Sequence, residues 1–188
     1  MKQKYPEGLL LVKRFVSRLK QRQIISNIDE RDWNNDLTRR VQHYGYRYDY
    51  RKRHLNSSTL VPPIPAWATQ LIDHFRQKYN IEQSFDQLII NEYMPGQGIA
   101  PHTDSVGCFD NLIISVSLGS PCVMKFSRQR KWFEVLLNPG DSLVIQDAAR
   151  YDWHHEIKPR KKDRWGGRVL FRKRRLSLTF RKILTNGY

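Results

Sequence analysis

At 188 residues the chain is the size of one domain, long enough to bury a continuous core without disulfides or structural metals. Its 33 Lys and Arg against 18 Asp and Glu give a formal charge of +15, which favours a polyanionic partner. Two cysteines, Cys108 and Cys122, exclude a disulfide framework or a zinc ribbon, and the N-terminal apolar run Leu9 to Val12 is too short for a secretion signal or a membrane span. A soluble intracellular protein, cytoplasmic or nuclear and with no membrane contact, is expected.

In chain order, a short strand is predicted at Leu9 to Val12 and a helix from about Ser17 whose Leu19, Ile24 and Ile25 face a core. The N-terminal half reads as helical where it is regular. A second helix is predicted from about Pro65, with Trp67, Leu71, Ile72, Phe75 and Tyr79 as its apolar stripe. From Gln87 the pattern changes to short strand-like runs: LIINEY, LIISVSLG, CVMKF, KWFEVLL, SLVIQ and RLSLTFRKI. Turn signals such as Met94-Pro95-Gly96 and Asn138-Pro139-Gly140-Asp141 separate them. No repeat or linker divides the chain. The expected fold is α+β, a double-sheet jelly roll with supporting N-terminal helices, in one domain over 1–188 split into a helical part (1–85) and a strand-rich core (86–183).

His102-Thr103-Asp104 sets an imidazole and a carboxylate two residues apart, so in extended backbone both project from one face. His154 and His155 are the later histidines that a neighbouring strand would return to this pair. Two histidines and a carboxylate make a facial triad, a ligand set suited to non-haem Fe(II) because three coordination positions stay open. In the last strand, alternation puts Arg175, Ser177, Thr179 and Arg181 on one face and Leu176, Leu178 and Phe180 on the other. That pattern fits a solvated edge strand, or an interior pair of guanidinium forks able to hold a dicarboxylate. Asn91 and Tyr93 alternate in the same way and offer an amide and a phenol to the same ligand.

Asn91-Glu-Tyr93-Met-Pro95-Gly96, then His102-Thr-Asp104, then His155, then Arg175-Leu-Ser-Leu-Thr-Phe-Arg181 resembles the ordered signature of AlkB-like Fe(II)- and 2-oxoglutarate-dependent dioxygenases. The likeness is strong from about Leu88 to Ile183 and weaker through Arg40-Val-Gln-His-Tyr-Gly-Tyr-Arg-Tyr. It implies a double-stranded β-helix with Fe(II) on His102, Asp104 and His155. It further implies that Arg175 with Tyr93 binds the distal carboxylate of 2-oxoglutarate, and that Arg181 and Asn91 serve the end nearest the iron. Ser177 sits where repair members often carry Asn, and Glu156 replaces the usual Gly after the ligand histidine. The resemblance selects His155 over His154.

The same resemblance implies oxidation of a modified base in nucleic acid with dioxygen as co-substrate. Hydroxylation of an N-methyl group removes it as formaldehyde, whereas hydroxylation at carbon gives a stable alcohol. The stretch from Arg39 to Arg53 interleaves aromatics with cations and resembles the family's nucleotide-recognition lid, with Arg40, His43, Tyr44, Tyr46 and Tyr48 as its base and phosphate contacts. A hairpin with tyrosines packed inward is the alternative. Val106 stands two positions after Asp104, where repair members carry an acid, and the motif is more similar to the branch that hydroxylates a modified wobble uridine in tRNA. A DNA or RNA substrate presented single-stranded or base-flipped is expected, with the protein a monomer. The competing readings are a nucleic-acid-binding module without turnover and an oxygenase acting on protein or a small molecule.

Overall fold

The computed structural model describes residues 5–35, 38–49, 54–56 and 61–184. The chain begins with β1 (Leu9–Val12) and α1 (Arg18–Asp29), then runs through β2 (Val41–Tyr44), β3 (Arg47–Asp49) and β4 (His54–Asn56) to α2 (Ala66–Tyr79). The remainder is built from β5 (Gln87–Tyr93), β6 (Ile99–His102), β7 (Ile113–Gly119), β8 (Cys122–Arg128), β9 (Lys131–Leu137) and β10 (Ser142–Ile145). After these come α3 (Asp147–Tyr151), β11 (His154–Ile157), β12 (Lys162–Trp165), β13 (Arg168–Phe171) and β14 (Arg175–Arg181).

Local chemistry accounts for both long helices. Ser17 caps α1 by accepting the Lys20 amide at 3.3 Å, and α2 follows Pro65, whose fixed φ suits the entry. At its other end α2 stops on Asn80 in the left-handed region, where the Asn80 amide closes onto the Arg76 carbonyl. Ile24 and Ile28 of α1 are fully buried, whereas Leu19 is 66% exposed, which corrects the expected stripe. Five residues from Leu19 to Ile24 rotate the side chain by about 140° at about 100° per residue, so the two cannot share a face.

Among the described residues, ten strands form the two main sheets. The larger has the order β1-β10-β7-β14-β5-β2 and the smaller β6-β11-β8-β9. All the pairings are antiparallel, and the resulting two-sheet architecture is the expected jelly roll. The larger sheet is two-sided in the period of its strands. Leu88, Ile90, Ile114, Val116, Leu118, Val144, Leu176, Leu178 and Phe180 join the buried residues of α1 and α2 in one apolar layer. Their neighbours in the chain face the smaller sheet, where Tyr93, Ile113, Leu143 and Ile145 pack with Cys122, Met124, Phe126, Val135 and Leu137.

The N-terminal half is less helical than its sequence suggests. β2 joins the larger sheet by pairing with β5, and β3 pairs with β4. β2's partner lies more than forty residues along the chain, and such remote pairing overrides local preference. Tyr50 to Arg53, the end of the expected lid, lie outside the described residues. No described helix is long and apolar enough to cross a membrane.

Candidate active site

β6 and β11 pair with His102 directly opposite His155, and the ring centroids are 4.3 Å apart. Gly98 permits this approach, since a Cβ there would stand 2.1 Å from the Ile157 carbonyl oxygen. His102 Nδ1 lies 2.8 Å from the Ala100 carbonyl; a carbonyl only accepts, so the neutral ring keeps its proton on Nδ1 and presents the Nε2 lone pair. His154 is exposed, on the opposite face of β11. Enclosure, with His102 alongside, pushes the His155 pKa down to about 3, so its imidazole is neutral over the physiological range.

Burial by itself would raise the Asp104 carboxyl, but the charge of Arg181 above all, with Arg150, outweighs it and holds the group well below the usual carboxylate range. Arg181 Nη2 donates to Asp104 Oδ1 at 2.6 Å. Among the described residues no three His, Cys, Asp or Glu side chains are drawn as tightly together as a bound metal ion would hold them.

The cationic face of β14 is not a solvated edge. β14 lies between β7 and β5 with all seven residues buried, and Arg175 is only 2% exposed. Arg175 Nε donates to Ser117 Oγ at 3.0 Å and Nη2 reaches Ser177 Oγ at 3.5 Å, while Nη1 is buried without an acceptor. Its guanidinium carbon lies 5.4 Å from the centre of the Tyr93 ring, and burial pushes the Tyr93 phenol up. Arg181 Nε is likewise buried without an acceptor. An unmet buried donor costs about 1–3 kcal/mol, so these two groups await an acceptor. Beside them is a cavity of about 50 Å³ walled by Asn91, Tyr93, Ser177 and Arg181 from the larger sheet, His102 and His155 from the smaller, and Asp104 from the loop beyond β6.

Residues 11–181 match the model of the 2OG-Fe(II) oxygenase superfamily. A mimivirus protein designated L905 (Acanthamoeba polyphaga mimivirus) is 34% identical over 94% of this chain and 85% of its own length. The tRNA (carboxymethyluridine(34)-5-O)-methyltransferase alkbh8 of Xenopus tropicalis is 35% identical over 84% of this chain, which spans only 26% of that protein. The chain is an AlkB-like 2OG-Fe(II) oxygenase. The solved structure of OsALKBH1 has the same fold, with a TM-score of 0.73 at 19% identity over 96% of this chain and 99% of that one. Members of this superfamily are dioxygenases that use Fe(II) and 2-oxoglutarate. The residues present fit both: two imidazoles and a carboxylate suit Fe(II), and two buried guanidinium groups with unmet donors suit a dicarboxylate.

The structure draws together Asn91, Tyr93, His102, Asp104, His155, Ser177 and Arg181 around the cavity, with Arg175 behind Ser177. The expected nucleotide contacts divide. Tyr44 is a core residue on the helix-facing side, its hydroxyl donating to Gln42 Oε1 at 3.0 Å, so the sequence reading of it as a base contact is corrected. Arg40 is exposed, and its guanidinium grips buried Glu92 through two bonds of 2.6 and 2.8 Å. His43 pairs with Ile89 on the cavity-facing side of β2, Tyr46 is exposed, and the Tyr48 ring lies 5.5 Å from Phe109, over which Arg181 also sits.

Sequence reasoning missed Arg150. This fully buried side chain donates to the carbonyls of Asp104 (2.6 Å), Ser105 (3.0 Å) and Phe109 (3.5 Å), fastening the loop that carries Asp104. The available signal was an arginine inside Ala148-Ala149-Arg150, five residues before His155. Ser115, which shares a hydrogen bond with Ser177 at 3.1 Å, and Thr179 also line the cavity.

Proposed function

We propose that the chain oxidises a modified base in nucleic acid, with Fe(II) held by His102, Asp104 and His155. The observation that carries this reading is the pairing of His102 and His155 beside buried Arg175 and Arg181 donors that have no acceptor of their own. Arg175 with Tyr93 receives the distal carboxylate of 2-oxoglutarate, Ser177 steadies the Arg175 fork, and Arg181 and Asn91 serve the other end of the co-substrate. When bound, Fe(II) and 2-oxoglutarate supply the oxidising power by which dioxygen hydroxylates a C–H bond, with succinate and carbon dioxide as co-products. The protein orients these groups, and Ile113, Met124, Ile145 and Ile157 wall the cavity with apolar surface that excludes water. Arg150 positions the Asp104 loop, and the carbonyl of Ala100 orients His102.

The charge of +15 supports nucleic acid over a protein or small-molecule substrate. His43, Tyr46 and Tyr48 are the base and phosphate contacts of this reading. A target base must be unpaired or flipped to reach the histidines. Demethylation is the expected outcome on an N-methylated base. Stable hydroxylation of a modified wobble uridine in tRNA is the second reading, favoured by exposed Val106 where an acid would read a base edge and by the 35% identity to alkbh8.

The test is succinate release in air by the Fe(II)-loaded protein, with methylated oligonucleotides and unfractionated tRNA as substrates and nucleosides read by mass spectrometry. Formaldehyde with loss of a methyl mark establishes the demethylase. A gain of one oxygen on a tRNA nucleoside establishes the hydroxylase. Succinate no higher than that of His102→Ala on every nucleic acid, at confirmed iron occupancy, overturns the proposal.

A further inference from the structure

Between the strand that carries His155 and the strand that carries Arg175, β12 and β13 form a separate two-stranded ribbon. One side of it is fastened to the barrel. Asp163, fully buried, accepts from Arg172 Nε (2.6 Å) and Nη2 (2.8 Å), from Arg160 Nε (2.7 Å) and from the Val123 amide (3.1 Å). Arg172 Nη1 also donates to the carbonyls of Lys158 (2.8 Å) and Gln97 (3.4 Å), so the ribbon is tied to the loop that leads into β6. These contacts fix where the ribbon stands relative to the His102–His155 pair.

The other side is unexplained by the fold. Cross-strand register sets Lys162 opposite Phe171 and Arg164 opposite Val169, and all four side chains are exposed, Phe171 by 72%. Lys158, Lys161, Arg168 and Lys173 are exposed around them, and Asp163, the one acid from Lys158 to Arg175, is already matched by Arg160 and Arg172. A lone exposed aromatic is ordinary on a soluble protein. An aromatic with a lysine directly across from it, on a tethered ribbon whose exposed charges are all positive, has the chemistry of a surface that stacks an unpaired base and holds its phosphates.

We propose that the outer face of this ribbon is a second contact for the nucleic-acid substrate, with Phe171 stacking a base outside the active site and Lys162 and Arg164 binding the adjoining phosphates. The inference rests on the nucleic-acid reading above. Both ends of the ribbon continue into strands of the site, β11 and β14, so a strand held here stays beside the nucleotide at the histidines.

Fluorescence anisotropy with a labelled single-stranded oligonucleotide and with labelled tRNA, over a potassium chloride series, tests it. Lys162→Ser/Arg164→Ser is expected to reduce the slope of log affinity against log salt by about 1.4, at about 0.7 per phosphate contact on a single strand. Phe171→Ser is expected to weaken binding by about 5- to 150-fold with the slope unchanged. Arg18→Ser/Arg22→Ser, which removes the same charge from exposed positions of α1, controls for net charge. 2-Oxoglutarate binding is unchanged in all three variants. Ribbon variants that lose no more than the α1 control overturn the ribbon while leaving the proposed function standing. Wild-type protein that binds neither nucleic acid at moderate salt, or that binds phosphatidylserine vesicles instead, overturns both.

Discussion

The two faces of the larger sheet are made by the same strands and differ in almost every other respect. Toward α1 and α2, β14 presents Leu176, Leu178 and Phe180 into an apolar layer. Toward the smaller sheet the alternate residues, Arg175, Ser177, Thr179 and Arg181, are buried as well, but they carry hydroxyls and guanidinium groups, two of whose N–H donors lack an acceptor. Burial on the first face stabilises; burial on the second face costs stability and creates binding capacity. Period-two alternation lets one strand serve both ends without compromise between them.

This contrast breaks if outer-face truncation proves cheap. Phe180→Ala removes a fully buried ring and is expected to cost about 3–5 kcal/mol in chemical denaturation, with little change in 2-oxoglutarate affinity at temperatures where the variant is folded. A loss under about 1 kcal/mol would mean that the helix-facing layer is not the stabilising one.

Glu92 sharpens the contrast, because it is the one acid of β5 on the helix-facing side. Burial alone would raise its carboxyl, but bonds from Arg40 and Arg174 outweigh burial and lower it. Arg174 also holds Asp29 at the end of α1, so the cluster ties helix to sheet. A carboxylate with a depressed folded-state pKa contributes stability that is present above its ordinary pKa, about 4.3, and is lost as pH falls through the folded value. Glu92→Gln is therefore expected to cost about 1–3 kcal/mol near neutral pH and to flatten the acid limb of a stability-against-pH curve. An acid limb identical to wild type would remove Glu92 from the account.

Arg150 makes the same division outside the sheet. Arg150→Lys keeps the positive charge but cannot span the carbonyls of Asp104, Ser105 and Phe109. Affinity for Fe(II), read by anaerobic dialysis, is expected to fall about 10- to 100-fold, by more than the change in thermal midpoint would explain. Unchanged metal affinity with a lowered midpoint would make Arg150 a structural residue only.

What could be read in advance follows the same physics. β14 announced its two faces because its alternation is strict, β2 in the half that reads as helical did not, and the AlkB-like order of motifs pointed to the residues that meet at the cavity. Arg150 was hidden because α3 has five residues, too few for any periodicity. The β12–β13 ribbon was hidden because its buried position is Asp163, which pairs with Arg172 just past β13, and such a pair resembles surface charge in a sequence. Tyr44 was misassigned for the converse reason. An aromatic suits a nucleotide contact and a core position equally well in composition, and only the register of β2 places it in the fold.

The most direct test is anaerobic titration of 2-oxoglutarate, monitored by calorimetry, into the Mn(II)-loaded wild type and Arg175→Leu, with thermal midpoints measured alongside. Loss of the buried fork is expected to weaken 2-oxoglutarate binding by about 2–5 kcal/mol while the midpoint holds or rises, since an apolar side chain then replaces a guanidinium with an unmet donor. Equal affinity in the two proteins, or a midpoint that collapses with the substitution, would contradict a polar inner face built to bind rather than to stabilise.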